Sequence, residues 1–129
     1  MIQHVTDWRP LWSWVRGGLD GIVAKTNPTW IPEDVYAELK GGTASLFTVG
    51  DRSAFFIAKR IADYDGLTFF VWVIWGPGEC VDIWRDVLSD IEVFAKQAGC
   101  KHIRMMSPRR GWARVGWVER DTIFERALT

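Results

Sequence analysis

The sequence predicts a mixed α/β (α+β) fold: one mixed sheet, part antiparallel meander and part parallel crossover, with helices on both faces. Three observations predict it. The apolar runs "ASLFTV", "AFFIAKRI" and "LTFFVWVIW" are separated only by "GDRS" and "ADYDG", and turns that short join adjacent antiparallel strands. A long amphipathic stretch then separates "LTFFVWVIW" from "KHIRMMS", and a helical crossover makes those two strands parallel neighbours. Helical patterns also precede the meander, so the predicted order is β-α-α-β-β-β-α-β-α-β.

Each element has its own warrant. Ile2 to Val5 can form a short first strand. Thr6 or Asp7 then caps a helix with Pro10 in its first turn, where a missing N–H is harmless. Trp8, Leu11, Trp12, Val15, Leu19, Ile22 and Val23 recur at three- and four-residue spacing, which is one apolar face. Gly17, Gly18 and Gly21 weaken that helix and predict an early end. "NPTWIP" is a loop, and Pro32 opens a second helix, "PEDVYAELK". Its acids lie in the first turn, Lys40 in the last, and Gly41 and Gly42 stop it. "LTFFVWVIW" is about half the length of a membrane-spanning helix and reads as a strand buried on both faces. The crossover helix covers about Val81 to Ala98, with Val81, Trp84, Val87, Leu88, Ile91, Phe94 and Ala95 in one stripe and Gly99 as its stop. After "KHIRMMS", "PRRGWAR" reads as a turn or short helix and "TIFERAL" as a last strand, with one more short strand near Val115 to Val118.

Length and composition bound the function. The 129 residues are expected to form a single domain, 1–129. With 48% hydrophobic and 25% charged residues the composition is that of an ordinary globular protein. The formal net charge is zero, which argues against a dedicated nucleic-acid or membrane-surface binder. Two cysteines, Cys80 and Cys100, and two histidines, His4 and His102, show no disulfide or zinc spacing. Reduced thiols in a cytoplasmic product are expected, without a metal. "MIQHVTDWRP" lacks an apolar core flanked by basic residues, so no signal peptide is expected. Nine tryptophans are unusual for this length. A core of this size does not easily hold them all, and some are expected to face a partner.

The stretch "VIWGPGECVDIW", Val73 to Trp84, joins a strand, a glycine turn and a helix start, the parts of a phosphate cradle. The element order, together with "IQHVTDW", "DVLSDIEVFAKQAGCKHIRM" and the Gly116–Trp117 pair, resembles the GNAT acetyltransferases over nearly the whole chain. The chain also looks similar to short GNAT-like products found among tailed-phage virion genes. The resemblance implies a coenzyme A loop of pattern Gln/Arg-x-x-Gly-x-Gly/Ala on "ECVDIW". Glu79 then stands where Gln or Arg is expected, Asp82 on the first glycine and Trp84 on the second small residue. Glu79, Asp82 and Asp86 repel a pyrophosphate there, while favouring the helix by about 0.3–1 kcal/mol each. In that register Trp84 fills space that the ligand needs. "GPGE" is a poorer cradle than its glycines suggest, because Pro77 has no N–H to offer and Glu79 follows at once. A plain turn before an acid-capped helix is the better reading. The resemblance also implies a tyrosine acid four residues before the Gly116–Trp117 pair. Trp112 stands there, and an indole N–H does not titrate usefully. Asp63, Asp65 and Glu79 are each conceivable general bases, with nothing to single one out.

"KHIRMMSPRRGWAR" carries Lys101, Arg104, Arg109, Arg110 and Arg114 without an acid. As a solvated rim it needs no function. As an interface, Arg104, Arg109, Arg110, Trp112, Arg114 and Trp117 would bind an acidic protein surface or, less well, phosphates and bases. Arg104 is expected to alternate away from Ile103 and Met105. The leading expectation is a non-catalytic GNAT-like structural or assembly protein, plausibly of a phage virion, acting through protein–protein contacts or self-association, with no cofactor and no catalytic residue. The alternatives are an acetyl-CoA-dependent N-acetyltransferase with an atypical coenzyme loop and a small nucleic-acid-associated module.

Overall fold

The computed structural model describes residues 1–76, 81–105, 117–118 and 126–127, and gives the backbone alone for 81–83. Five strands form one sheet in the order β1-β2-β3-β4-β5. They are β1 (Ile2–Val5), β2 (Ser45–Val49), β3 (Ala54–Asp63), β4 (Gly66–Trp75) and β5 (Cys100–Met105). The first three pairings are antiparallel, and β4 pairs with β5 in parallel. The mixed sheet expected from the sequence is therefore present. The expected strands at Val115 to Val118 and at "TIFERAL", and the turn "PRRGWAR", lie mostly outside the described residues.

Helices α1 (Trp12–Thr26) and α2 (Pro32–Gly41) cover one face of the sheet, and α3 (Val81–Gln97) the other. Strand alternation divides the core accordingly. On β3, Phe55 and Ile57 face Val15, Leu19 and Val35, whereas Phe56 and Ala58 face Val87 and Ile91. Phe47 and Phe56 stack 4.7 Å apart on the α3 side. Rings this size contribute about 1.5–3 kcal/mol each when fully buried.

Two expectations about α1 are corrected. Neither Thr6 nor Asp7 caps it: a 3₁₀ turn, Arg9–Leu11, holds Pro10, and α1 begins at Trp12 with no side-chain cap. The glycines do not end it early, since it continues to Thr26 and closes on left-handed Asn27. One of them is required by packing. A Cβ on Gly18 would lie 2.7 Å from a Phe55 ring carbon and 2.9 Å from Trp75, whereas Gly17 and Gly21 face open space. The tertiary contact of a bare backbone against two rings outweighs the weak local propensity. Asp34 reinforces the start of α2 by accepting the Ile31 N–H at 3.0 Å. At the end of α3, Gly99 takes φ +82°, as its place after the helix predicts.

Strand β4 is regular on neither side. Ile57 pairs with Val73 but Ala58 with Val71, so Trp72 is an extra residue, a β-bulge. Val71 packs with the α3 cluster, and both Trp72 and Val73 pack with the α1/α2 cluster. The bulge thus turns two successive side chains to the same face. Within β4, Thr68, Phe69, Val71 and Val73 are buried and the others half-buried, a looser state than the two-sided burial expected.

Candidate functional site at the carboxyl ends of β4 and β5

A helical crossover leaves α3's first turn beside the carboxyl end of β4. In open α/β sheets ligands bind just beyond the carboxyl ends of parallel strands, and a helix N-terminus adds partial positive charge. The described β4–β5 pairing runs from Leu67–Cys100 to Val71–Met105. β4 continues through Trp72 to Trp75, held by β3 alone among the described residues. The bulge at Trp72 therefore falls where the described parallel pairing stops. A bulge interrupts the ladder and leaves a main-chain group unpaired.

Trp84, in the first turn and a half of α3, is only 3% exposed and meets Phe56 edge-on at 5.8 Å. Its ring lies in the α3-side core with Val87 and Ile91. Trp117 is half-buried and packs against that same cluster. The Nε1 atoms of Trp84 and Trp117 are both buried and have no acceptor among the described residues. An indole nitrogen can only donate, and a buried donor left unpaired costs roughly 1–3 kcal/mol.

The opposite face at this end is aromatic. Trp75 stacks on Phe55 at 5.3 Å and meets Trp14 edge-on at 5.7 Å. Trp72 meets Trp30, from the α1–α2 loop, at 6.1 Å. The Lys59 ammonium sits 3.7 Å from the centre of the Trp72 ring and 2.7 Å from a Glu38 oxygen. Thr43 donates its hydroxyl to the other Glu38 oxygen at 3.1 Å. Lys59 and Glu38 are thus neutralised in place.

Charges gather instead at the amino end of β4. Arg104 meets Asp63 at 2.6 Å and His102 meets Asp65 at 2.9 Å. The hydrogen bond from Arg104, then that from the Tyr64 N–H, hold the Asp63 carboxyl below its ordinary range. The hydrogen bond from His102 does the same for Asp65. His102 registers with Thr68, four residues before the bulge, which is about 13 Å at the rise of a strand. That separation is beyond direct proton transfer.

Of the residues singled out in the sequence, the structure brings Trp84 and Trp117 into one cluster and commits Arg104 to Asp63. Asp82 lies in α3's first turn, its side chain outside the described residues. Glu79, Arg109, Arg110, Trp112 and Arg114 also lie outside them. Cys100 carries a free thiol. Sequence reasoning missed Trp30, Lys59 and Glu38 as neighbours of Trp72. Nothing local signals that group, because its members are brought together only by the fold. Among the described residues no cluster of three or more His, Cys, Asp or Glu could hold a metal, and no helix is long and apolar enough to cross a membrane.

Comparison with solved structures decides the architecture. A GNAT family acetyltransferase from Staphylococcus aureus subsp. aureus USA300_TCH1516 superposes with a TM-score of 0.65 over 99% of this chain and 98% of that one, at 16% identity. The fold is that of the GNAT acetyltransferases. An aminoglycoside acetyltransferase from an uncultured soil metagenomic sample, solved with sisomicin, matches with a TM-score of 0.70 over 100% of this chain and 95% of that one, at 8% identity. An integron cassette protein from the mobile metagenome of Cole Harbour Salt Marsh matches with a TM-score of 0.70 over 99% and 90%, at 10% identity. No family model matches the sequence, and no curated protein matches it. At these identities the likeness to GNAT structures is one of fold.

Proposed function

We propose that the chain is an acetyl-CoA-dependent N-acetyltransferase with an atypical coenzyme loop. One observation carries the reading: the likeness to solved acetyltransferase structures extends over 99–100% of the chain. The comparisons favour this alternative over the virion assembly role that led the sequence-based expectations. Trp84 adds support, because its ring is absorbed by the core against Phe56. The coenzyme, when bound, supplies an acetyl thioester. Backbone N–H groups of α3's first turn would face its phosphates. The bulge at Trp72 would direct an unpaired main-chain group toward the acetyl carbonyl. Glu79 and Asp82 oppose this arrangement by charge, so the affinity is expected to be modest.

Acetyl transfer to a panel of primary amines, followed by free thiol release, tests the reading. Turnover that depends on the amine supports it. Silence across the panel would return the chain to the non-catalytic assembly role.

A further inference from the structure

Resting on the transferase reading, we infer that the acceptor is an amine carrying a flat aromatic group, seated against Trp30 and Trp72, and not a polycation. The Trp72 side chain lies on the α1/α2 face of the sheet. An acceptor that rests on its ring is therefore on that side. There Trp30 and Trp72 are half-buried and meet edge-on at 6.1 Å. Such rings favour a third aromatic ring offset or edge-on.

Charge excludes the polycation. A cation would seek the face of Trp72, but the Lys59 ammonium already occupies that position at 3.7 Å. It would also seek a carboxylate. Glu38 is bound to Lys59 and Thr43, and Asp63 and Asp65 are bound to Arg104 and His102. Beside Trp72 the Lys59 and Glu38 charges are paired with each other, so the wall there offers ring surface. This sets the chain apart from the fold relative solved with sisomicin, an aminoglycoside and hence a polycation.

Binding at the indoles tests this without requiring turnover. The chain is labelled at the tryptophan indole nitrogens, and the Trp30 and Trp72 signals are assigned with Trp30→Phe and Trp72→Phe variants. It is then titrated with 2-phenylethylamine and, separately, with spermidine. 2-Phenylethylamine is expected to shift both signals saturably, and spermidine to shift neither. Lys59→Met vacates the Trp72 face and frees Glu38, so it should tighten spermidine binding about tenfold or more. That gain cannot come from a variant that fails to fold. An equal response to spermidine in the unmodified chain, no saturable shift with 2-phenylethylamine, or no gain in Lys59→Met would overturn the inference. Calorimetry with acetyl-CoA on the same sample separates the two ideas. Phenylethylamine binding without acetyl-CoA binding ends the transferase reading and keeps the aromatic site. The reverse keeps the transferase reading and ends the aromatic site.

Discussion

The two ends of β4 are held by different forces. At the amino end, Asp63 and Asp65 meet Arg104 and His102 across partly exposed ion pairs. At the carboxyl end, Phe55, Phe56, Trp75 and Trp84 are packed ring on ring. Exposed pairs contribute little, because water and salt screen them. Buried rings contribute several-fold more. The end that carries the bulge and the start of α3 is therefore the one held by buried ring packing. A site that must hold reacting groups in fixed geometry is better built there than among exposed charges.

Substitutions can break this contrast, beginning with the largest effect. Phe56→Ala removes a fully buried ring that touches Trp84. It should lower stability by about 3–5 kcal/mol, read from the midpoint of urea unfolding. Gly18→Ala pushes a methyl group into the Phe55 and Trp75 rings, and overpacking of this kind should cost about 1–3 kcal/mol in the same assay. Gly17→Ala and Gly21→Ala, on the open face of the same helix, should instead raise stability by about 0.5–1 kcal/mol each. Opposite signs within one helix would locate the requirement at the ring contact.

The smallest effect belongs to the amino end. Asp63 and Asp65 have lowered folded values, so what they contribute is present at neutral pH. It is lost as pH falls below the ordinary carboxylate value of 3.8 and through the lower folded values. The Asp63→Asn, Asp65→Asn double variant should therefore match the wild type below that range and differ slightly from it at neutral pH. Unfolding midpoints measured along a pH series would show this. A large loss at neutral pH would mean that the amino end matters more than exposed pairs allow.

Much of the architecture was legible because periodicity carries it. The α3 stripe, the meander turns and the parallel crossover all follow from spacing. The Trp72 bulge was not legible, because "LTFFVWVIW" is apolar throughout and has no alternation to interrupt. α1 ran past its glycines because Gly18 answers to rings far away in sequence. Trp84 is more instructive. Family register set it in the coenzyme's space, yet it shares a helical stripe with Val87, Ile91 and Ala95. That stripe is the core face of α3. The periodicity of the chain itself was the better guide to where the side chain points. The Lys59–Glu38–Trp72 group was hidden for a different reason: its partners come from α2, β3 and β4, and no single segment shows them together.

Calorimetric titration of acetyl-CoA into the wild-type chain and into Asp82→Asn tests the central claim most directly. The predicted result is one site per chain, tightened in Asp82→Asn because an acid is removed from the N-terminal turn of α3. Absence of binding in both proteins at millimolar acetyl-CoA would contradict the account.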